Sequence, residues 1–105
     1  MRNLPPRQIQ RMLADGQDMF MLDVREPWEF ATCRIETSIN IPMNRIPSAL
    51  ATLDPGRETL VICHHGARSM QVADYLESAG FANVINLQGG IDAWAKSVDP
   101  GMSQY

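Results

Sequence analysis

Cysteine is scarce in this chain. It occurs twice in 105 residues, as Cys33 and Cys63, at unrelated positions, which excludes a disulfide framework as the source of stability. Such a cysteine is either inert filler or a working thiol. Clustered positive charge is lacking too. Nine Lys and Arg stand against twelve Asp and Glu, for a net charge of -3, and no cationic stripe is present to track a phosphate backbone, which argues against a nucleic-acid partner. No apolar run reaches the length of a membrane span, so no membrane association is expected. The opening stretch "MRNLPPRQIQRML" has no apolar core of a secretory signal, so the expected location is cytoplasmic. Repeats, low-complexity tracts and linkers are missing, and residues 1–105 are expected to form one domain with a real core.

What is present is a succession of short elements punctuated by Pro and Gly. "PPRQIQRMLADG" predicts a helix with Ile9, Met12 and Leu13 on one face, Pro at its start and Gly16 as its stop. "MFMLDV" is a continuous apolar run ending near Asp23 and suits a buried strand. "EPWEFA" reads as a short helix, "SINIP" as a strand, "IPSALATL" as a short helix and "ETLVIC" as a strand. "SMQVADYLESAG" is an amphipathic helix beginning near Ser69, with Val72, Ala73, Leu76 and Ala79 on one face. Gly80 fits its C-cap, with Phe81 packing back on Leu76. "NVINL" is a further strand, "IDAWAKSV" a last helix, and a short strand near Asn3 and Leu4 is a weaker candidate. Helices alternate with strands that are apolar throughout. The expected fold is therefore α/β, a three-layer α/β/α arrangement with a mainly parallel sheet of four to five strands and helices on both faces. In such folds ligands sit beyond the carboxyl ends of the strands, where Asp23, Arg25 and Cys63 all lie.

The stretch "TLVICHHGARSMQVADYL" concentrates the reactive groups. A chain that turns from strand to helix within a few residues can aim backbone N–H groups inward as an anion nest, reinforced by the helix N-terminus. Gly66 tolerates the backbone angles such a turn demands. A thiolate at the centre of that cradle is stabilised, and Cys63 is placed there. The bland alternative is a buried strand-end cysteine in an ordinary turn. Arg68 is either a solvated helix-start charge or a cation that holds an anionic donor. His64 and His65 invite a metal reading, but neighbours on a tight turn tend to diverge and no fourth ligand stands at finger-like spacing, so no metal is expected. Trp28, Trp94 and the methionines read as packing.

Three blocks in order, "MLDVREPWEF", "LVICHHGARS" and "INLQGGIDAWA", resemble a single-domain rhodanese from about Met19 to Trp94. The resemblance implies a rhodanese-type sulfurtransferase. Its loop cysteine, matched by Cys63, takes sulfane sulfur from a donor such as thiosulfate as a persulfide and passes it to a thiophilic acceptor, with no cofactor. The loop His64, His65, Gly66, Ala67, Arg68 and Ser69 matches the sulfur cradle, Asp23 and Arg25 match the "DVR" pair in a supporting role, and Trp94 follows the paired glycines Gly89 and Gly90. Where such proteins carry a "GHIPGA"-like segment this chain has "CRIETS", so Cys33 and Arg34 replace Gly and His and a second thiol appears. Other readings stay open. One is a persulfide carrier or regulatory module acting on a protein partner. Another is a phosphatase or arsenate reductase, which is disfavoured because Cys63 and Arg68 give Cys-x4-Arg, a smaller cradle than Cys-x5-Arg.

Overall fold

The computed structural model describes residues 1–105. Its elements in chain order are β1 (Arg2–Leu4), α1 (Pro6–Ala14), β2 (Phe20–Asp23), α2 (Pro27–Thr32), β3 (Ile39–Asn40), α3 (Ile46–Ala49), β4 (Thr59–Ile62), α4 (Ala67–Ser78), β5 (Val84–Leu87) and α5 (Gly90–Ser97). The five strands form one sheet in the order β1-β5-β4-β2-β3, every pair parallel. The weak candidate at the start is thus a true edge strand, with Asn3 in register with Asn86. The stretch "IPSALATL" is less regular than expected: a four-residue α-helix flanked by 3-10 turns at Met43–Arg45 and Leu50–Thr52.

Alternate residues along each strand feed two cores, which is why the strands read as unbroken apolar runs. Met21, Leu60, Ile62, Ile85 and Leu87 face α1 and α5, where Ile9, Ile91 and Trp94 complete one layer. Leu22, Val61, Cys63 and Val84 face the other side, closed by Ile46 of α3 and by Val72, Ala73 and Leu76 of α4. The apolar face of α4 stops at Leu76. Ala79 is exposed, because it caps the helix. The Gly80 N–H then bonds the Glu77 carbonyl and the Phe81 N–H bonds the Leu76 carbonyl, both at 3.0 Å, which returns Phe81 to the core.

The "CRIETS" segment keeps a tight turn without the usual glycine. The Ser38 N–H bonds the Ile35 carbonyl at 3.2 Å, and Thr37 sits at φ 71. A turn of type II needs a positive φ at its third residue, and a β-branched side chain there is strained. The second glycine of a GHIPGA-like segment stands at this position. Thr37→Gly is therefore expected to stabilise the protein by about 1 kcal/mol, the relieved strain less the added chain entropy of glycine. Chemical denaturation checks it: the midpoint should rise with an unchanged slope.

Candidate active site

Cys63 follows β4, the central strand, and is 1% exposed. Its sulfur accepts a hydrogen bond from the Gly66 N–H at 3.0 Å, and Gly66 holds φ 108, a conformation open to glycine. Helix α4 begins at Ala67, two residues earlier than the sequence suggested. That places Ser69 in the first helical turn, buried, with its hydroxyl 3.2 Å from the sulfur. The same hydroxyl meets the Gly66 carbonyl at 3.1 Å and the Asn86 Oδ1. Asn86 in turn donates from Nδ2 to the Asn3 Oδ1 at 2.9 Å. A polar chain thus runs from the sulfur across β5 to the edge strand.

The paired glycines brace the loop from the other side. At the start of α5 the Ile91 N–H bonds the Cys63 carbonyl at 2.8 Å, and the Asp92 N–H bonds the His64 carbonyl at 3.0 Å. A helix N-terminus has N–H groups without intrahelical partners, and here the loop carbonyls satisfy two of them. The approach is so close that a Cβ on Gly90 would stand 2.5 Å from the Cys63 carbonyl oxygen. Only glycine fits there.

Asp23 and Arg25 are both fully buried and paired, with Nη2 to Oδ2 at 2.7 Å and Nε to Oδ1 at 3.0 Å. The remaining donors of Arg25 go to the carbonyls of Glu29 and Cys33, at 3.2 and 2.6 Å, and to the Tyr105 hydroxyl at 2.9 Å. All five guanidinium N–H groups are used, so Arg25 is a strut and not a substrate ligand. Cys33 lies within 3.8 Å of the same guanidinium through its sulfur. Arg68 is engaged as well. Its two terminal nitrogens meet the two oxygens of Glu29 at 2.7 and 2.8 Å.

Glu29 is buried at 4% exposure, and its carboxyl is lowered from 4.5 to about 2, chiefly by the Arg68 hydrogen bonds against the opposing cost of burial. A depressed carboxyl contributes stability that is complete above its unfolded value and is lost as pH falls through its folded value. Acid titration by circular dichroism should therefore show the wild type losing stability between about pH 4.5 and 2, and Glu29→Gln should flatten that loss.

His64 and His65 do not diverge. Their rings stack at 4.1 Å with 27° between planes, because Tyr105 stacks on the far side of His64 at 4.1 Å and 15°. Burial, and secondarily His65, lowers the His64 pKa and so favours the neutral imidazole. Asp92 lies near both, and the ligating atoms of His64, His65 and Asp92 fall within 4.8 Å of one another. Near-parallel rings hold their in-plane nitrogens side by side, and Asp92 is already bonded to Lys96 at 3.0 Å. One ring would have to leave the stack to share an ion. Ala67 is exposed at the rim. Trp28, expected as packing, is 62% exposed and sits edge-on to Tyr105 at 5.5 Å, whereas Trp94 is core. Met70 is likewise exposed.

The family model of the rhodanese-like domain matches residues 5–97. The chain belongs to the rhodanese-like family. A protein of Allochromatium vinosum named sulfurtransferase is 38% identical over 88 residues, 84% of this chain and 82% of that one. The thiosulfate sulfurtransferase GlpE of Stutzerimonas stutzeri is 32% identical over 93 residues, 89% of this chain and 84% of its own. Among solved structures, the rhodanese-related protein of Thermoplasma volcanium superposes with a TM-score of 0.84 at 30% identity, covering 93% of this chain and 94% of that one. No helix of this rhodanese-like chain is long and apolar enough to cross a membrane. Three members of its site were not singled out in the sequence, although Glu29 and Asn86 lie within the blocks "MLDVREPWEF" and "INLQGGIDAWA". Glu29, Asn86 and Tyr105 reach Arg68, Ser69 and Arg25 across 39, 17 and 80 residues of sequence. Only Glu29 had a local cue, its place in a capping box with Glu26.

Proposed function

We propose that residues 1–105 act as one rhodanese-like domain that transfers sulfane sulfur, thiosulfate being the simplest donor, to a thiophilic acceptor through a persulfide on Cys63. The observation that carries this reading is the Cys63 sulfur itself, held at the end of the central strand with one backbone N–H directed at it and the Ser69 hydroxyl 3.2 Å away. Thiolate attack on the sulfane sulfur of thiosulfate forms Cys63–S–S⁻ and breaks the S–S bond of the donor. Sulfite leaves with the electron pair. A nucleophile such as cyanide then takes the outer sulfur and restores the thiolate. Neither step asks for a proton donor or a cofactor. Phosphate chemistry is disfavoured, because the guanidinium a phosphate would need is bound by Glu29. Incubation with thiosulfate should add the mass of one sulfur atom to the intact protein, located on the Cys63 peptide and removed by cyanide. An unmodified Cys63 after treatment with several sulfane donors would sink the proposal.

A second reading, delivery of the persulfide to a protein acceptor, is favoured by Trp28. A tryptophan left 62% exposed beside Tyr105, at the rim of the loop, is an anchor of the kind that protein interfaces use. Trp28→Ala should leave transfer from thiosulfate to cyanide intact and weaken transfer to such an acceptor.

A further inference from the structure

The charges around the Cys63 loop cancel. Asp23 answers Arg25, and Glu29 answers Arg68 with both of its oxygens. The Tyr105 hydroxyl donates to Glu29 Oε2 at 2.9 Å, which fixes the carboxylate in place. The rings of His64, Tyr105 and Trp28 line the rim. A dianion arriving here meets a thiolate that repels it, and both guanidiniums nearest the loop, Arg25 and Arg68, are already held by carboxylates. An organic monoanion meets half the repulsion and has aromatic surface on which to rest its apolar body.

We propose that Glu29 is the specificity-determining residue of this site: by occupying Arg68 it tunes the loop to organic sulfane donors of single negative charge, such as arylthiosulfonates, in preference to the thiosulfate dianion. This inference rests on the sulfur-transfer reading above and names its donor class. The chemistry is the same for both donors. The Cys63 thiolate attacks the sulfane sulfur, the bond from that sulfur to the sulfonyl sulfur breaks, and the leaving group departs with the electron pair. Sulfite leaves from thiosulfate and benzenesulfinate from benzenethiosulfonate. Only the charge and the body of the donor differ.

Glu29 acts through Arg68, so its test needs readouts that a merely structural role would not move. Those are the ratio of kcat/KM for benzenethiosulfonate to that for thiosulfate, and the response of each to salt. In the wild type the ratio should exceed unity by on the order of tenfold, and the thiosulfate value should stay level or rise with ionic strength. Glu29→Gln keeps a side-chain oxygen for the Glu26 N–H and frees the Arg68 charge. It should raise kcat/KM for thiosulfate on the order of tenfold, through KM, and that for benzenethiosulfonate only about threefold. Thiosulfate transfer should then fall with salt. The charge-balanced double variant Glu29→Gln/Arg68→Gln should return the ratio to the wild-type side.

A wild type that favours thiosulfate, with a rate that falls steeply with salt, would overturn the proposal, because Arg68 would then reach the dianion despite Glu29. An unchanged ratio in a folded Glu29→Gln protein would overturn it equally. If that variant does not fold, the wild-type ratio and salt response decide alone. Loss of the sulfur-transfer reading would look different: neither donor would leave a persulfide on Cys63.

Discussion

Cys63→Ser should abolish sulfur transfer, with a fall of at least about a thousandfold and no mass gain from any sulfane donor. A serine hydroxyl is neither ionised at neutral pH nor able to hold a sulfane sulfur, and the groups around it offer no replacement. Cys33 is the only other thiol, and its sulfur lies 3.8 Å from the Arg25 guanidinium, outside the hydrogen-bonded cradle of the loop. Cys33→Ser should therefore retain the added sulfur. Intact-mass spectra of the two variants after identical donor treatment separate the cases. A persulfide that survives Cys63→Ser and vanishes with Cys33→Ser would transfer the chemistry to the wrong side of the site.

Asp23→Ala should be the most damaging change to the fold among the polar residues. It leaves Arg25 fully buried and charged without its carboxylate, a loss of about 3–5 kcal/mol for a pair of this kind. Against a total of roughly 5–15 kcal/mol the variant is barely folded. The melting temperature should fall by about 15 °C or more. The cause is the stranded charge and not the missing contact. Replacing both partners with apolar residues of similar volume should therefore cost less than Asp23→Ala alone. A double variant as unstable as the single one would show that the carbonyls of Glu29 and Cys33 depend on Arg25 for their geometry.

How much of this was legible beforehand differs between the scaffold and the site. Strand identity followed from runs such as "TLVI" because both faces of that strand are buried, so its apolar character is continuous. The loop was legible because strand, cysteine, glycine and helix follow one another without interruption. The partner of Arg68 was hidden for a different reason. The arginine's charge is visible in the chain, but the carboxylate that occupies it lies 39 residues away, and pairing at that distance is decided by the sheet order. The stacking of the histidines was hidden in the same way. Divergence is the ordinary outcome for neighbours on a turn, yet Tyr105 supplies a third ring that holds them stacked. Trp28 shows the limit of composition: a large apolar residue in a short helix next to buried Glu29 can still face solvent.

The pairing of β1 with β5 bears on how the protein acquires its reactivity. Arg2, Asn3 and Leu4 lie in register with Ile85, Asn86 and Leu87, so the first strand waits for the last before it can dock. Closing a loop that long is slow compared with forming helices, and it costs chain entropy before any contact compensates. Asn86 fixes the hydroxyl beside the sulfur and is itself held by Asn3. During synthesis on the ribosome Cys63 would emerge well before that support exists. A nascent chain that has exposed Cys63 but not yet β5 should thus display an unsupported thiol, and the nucleophile would mature only in the final step of folding.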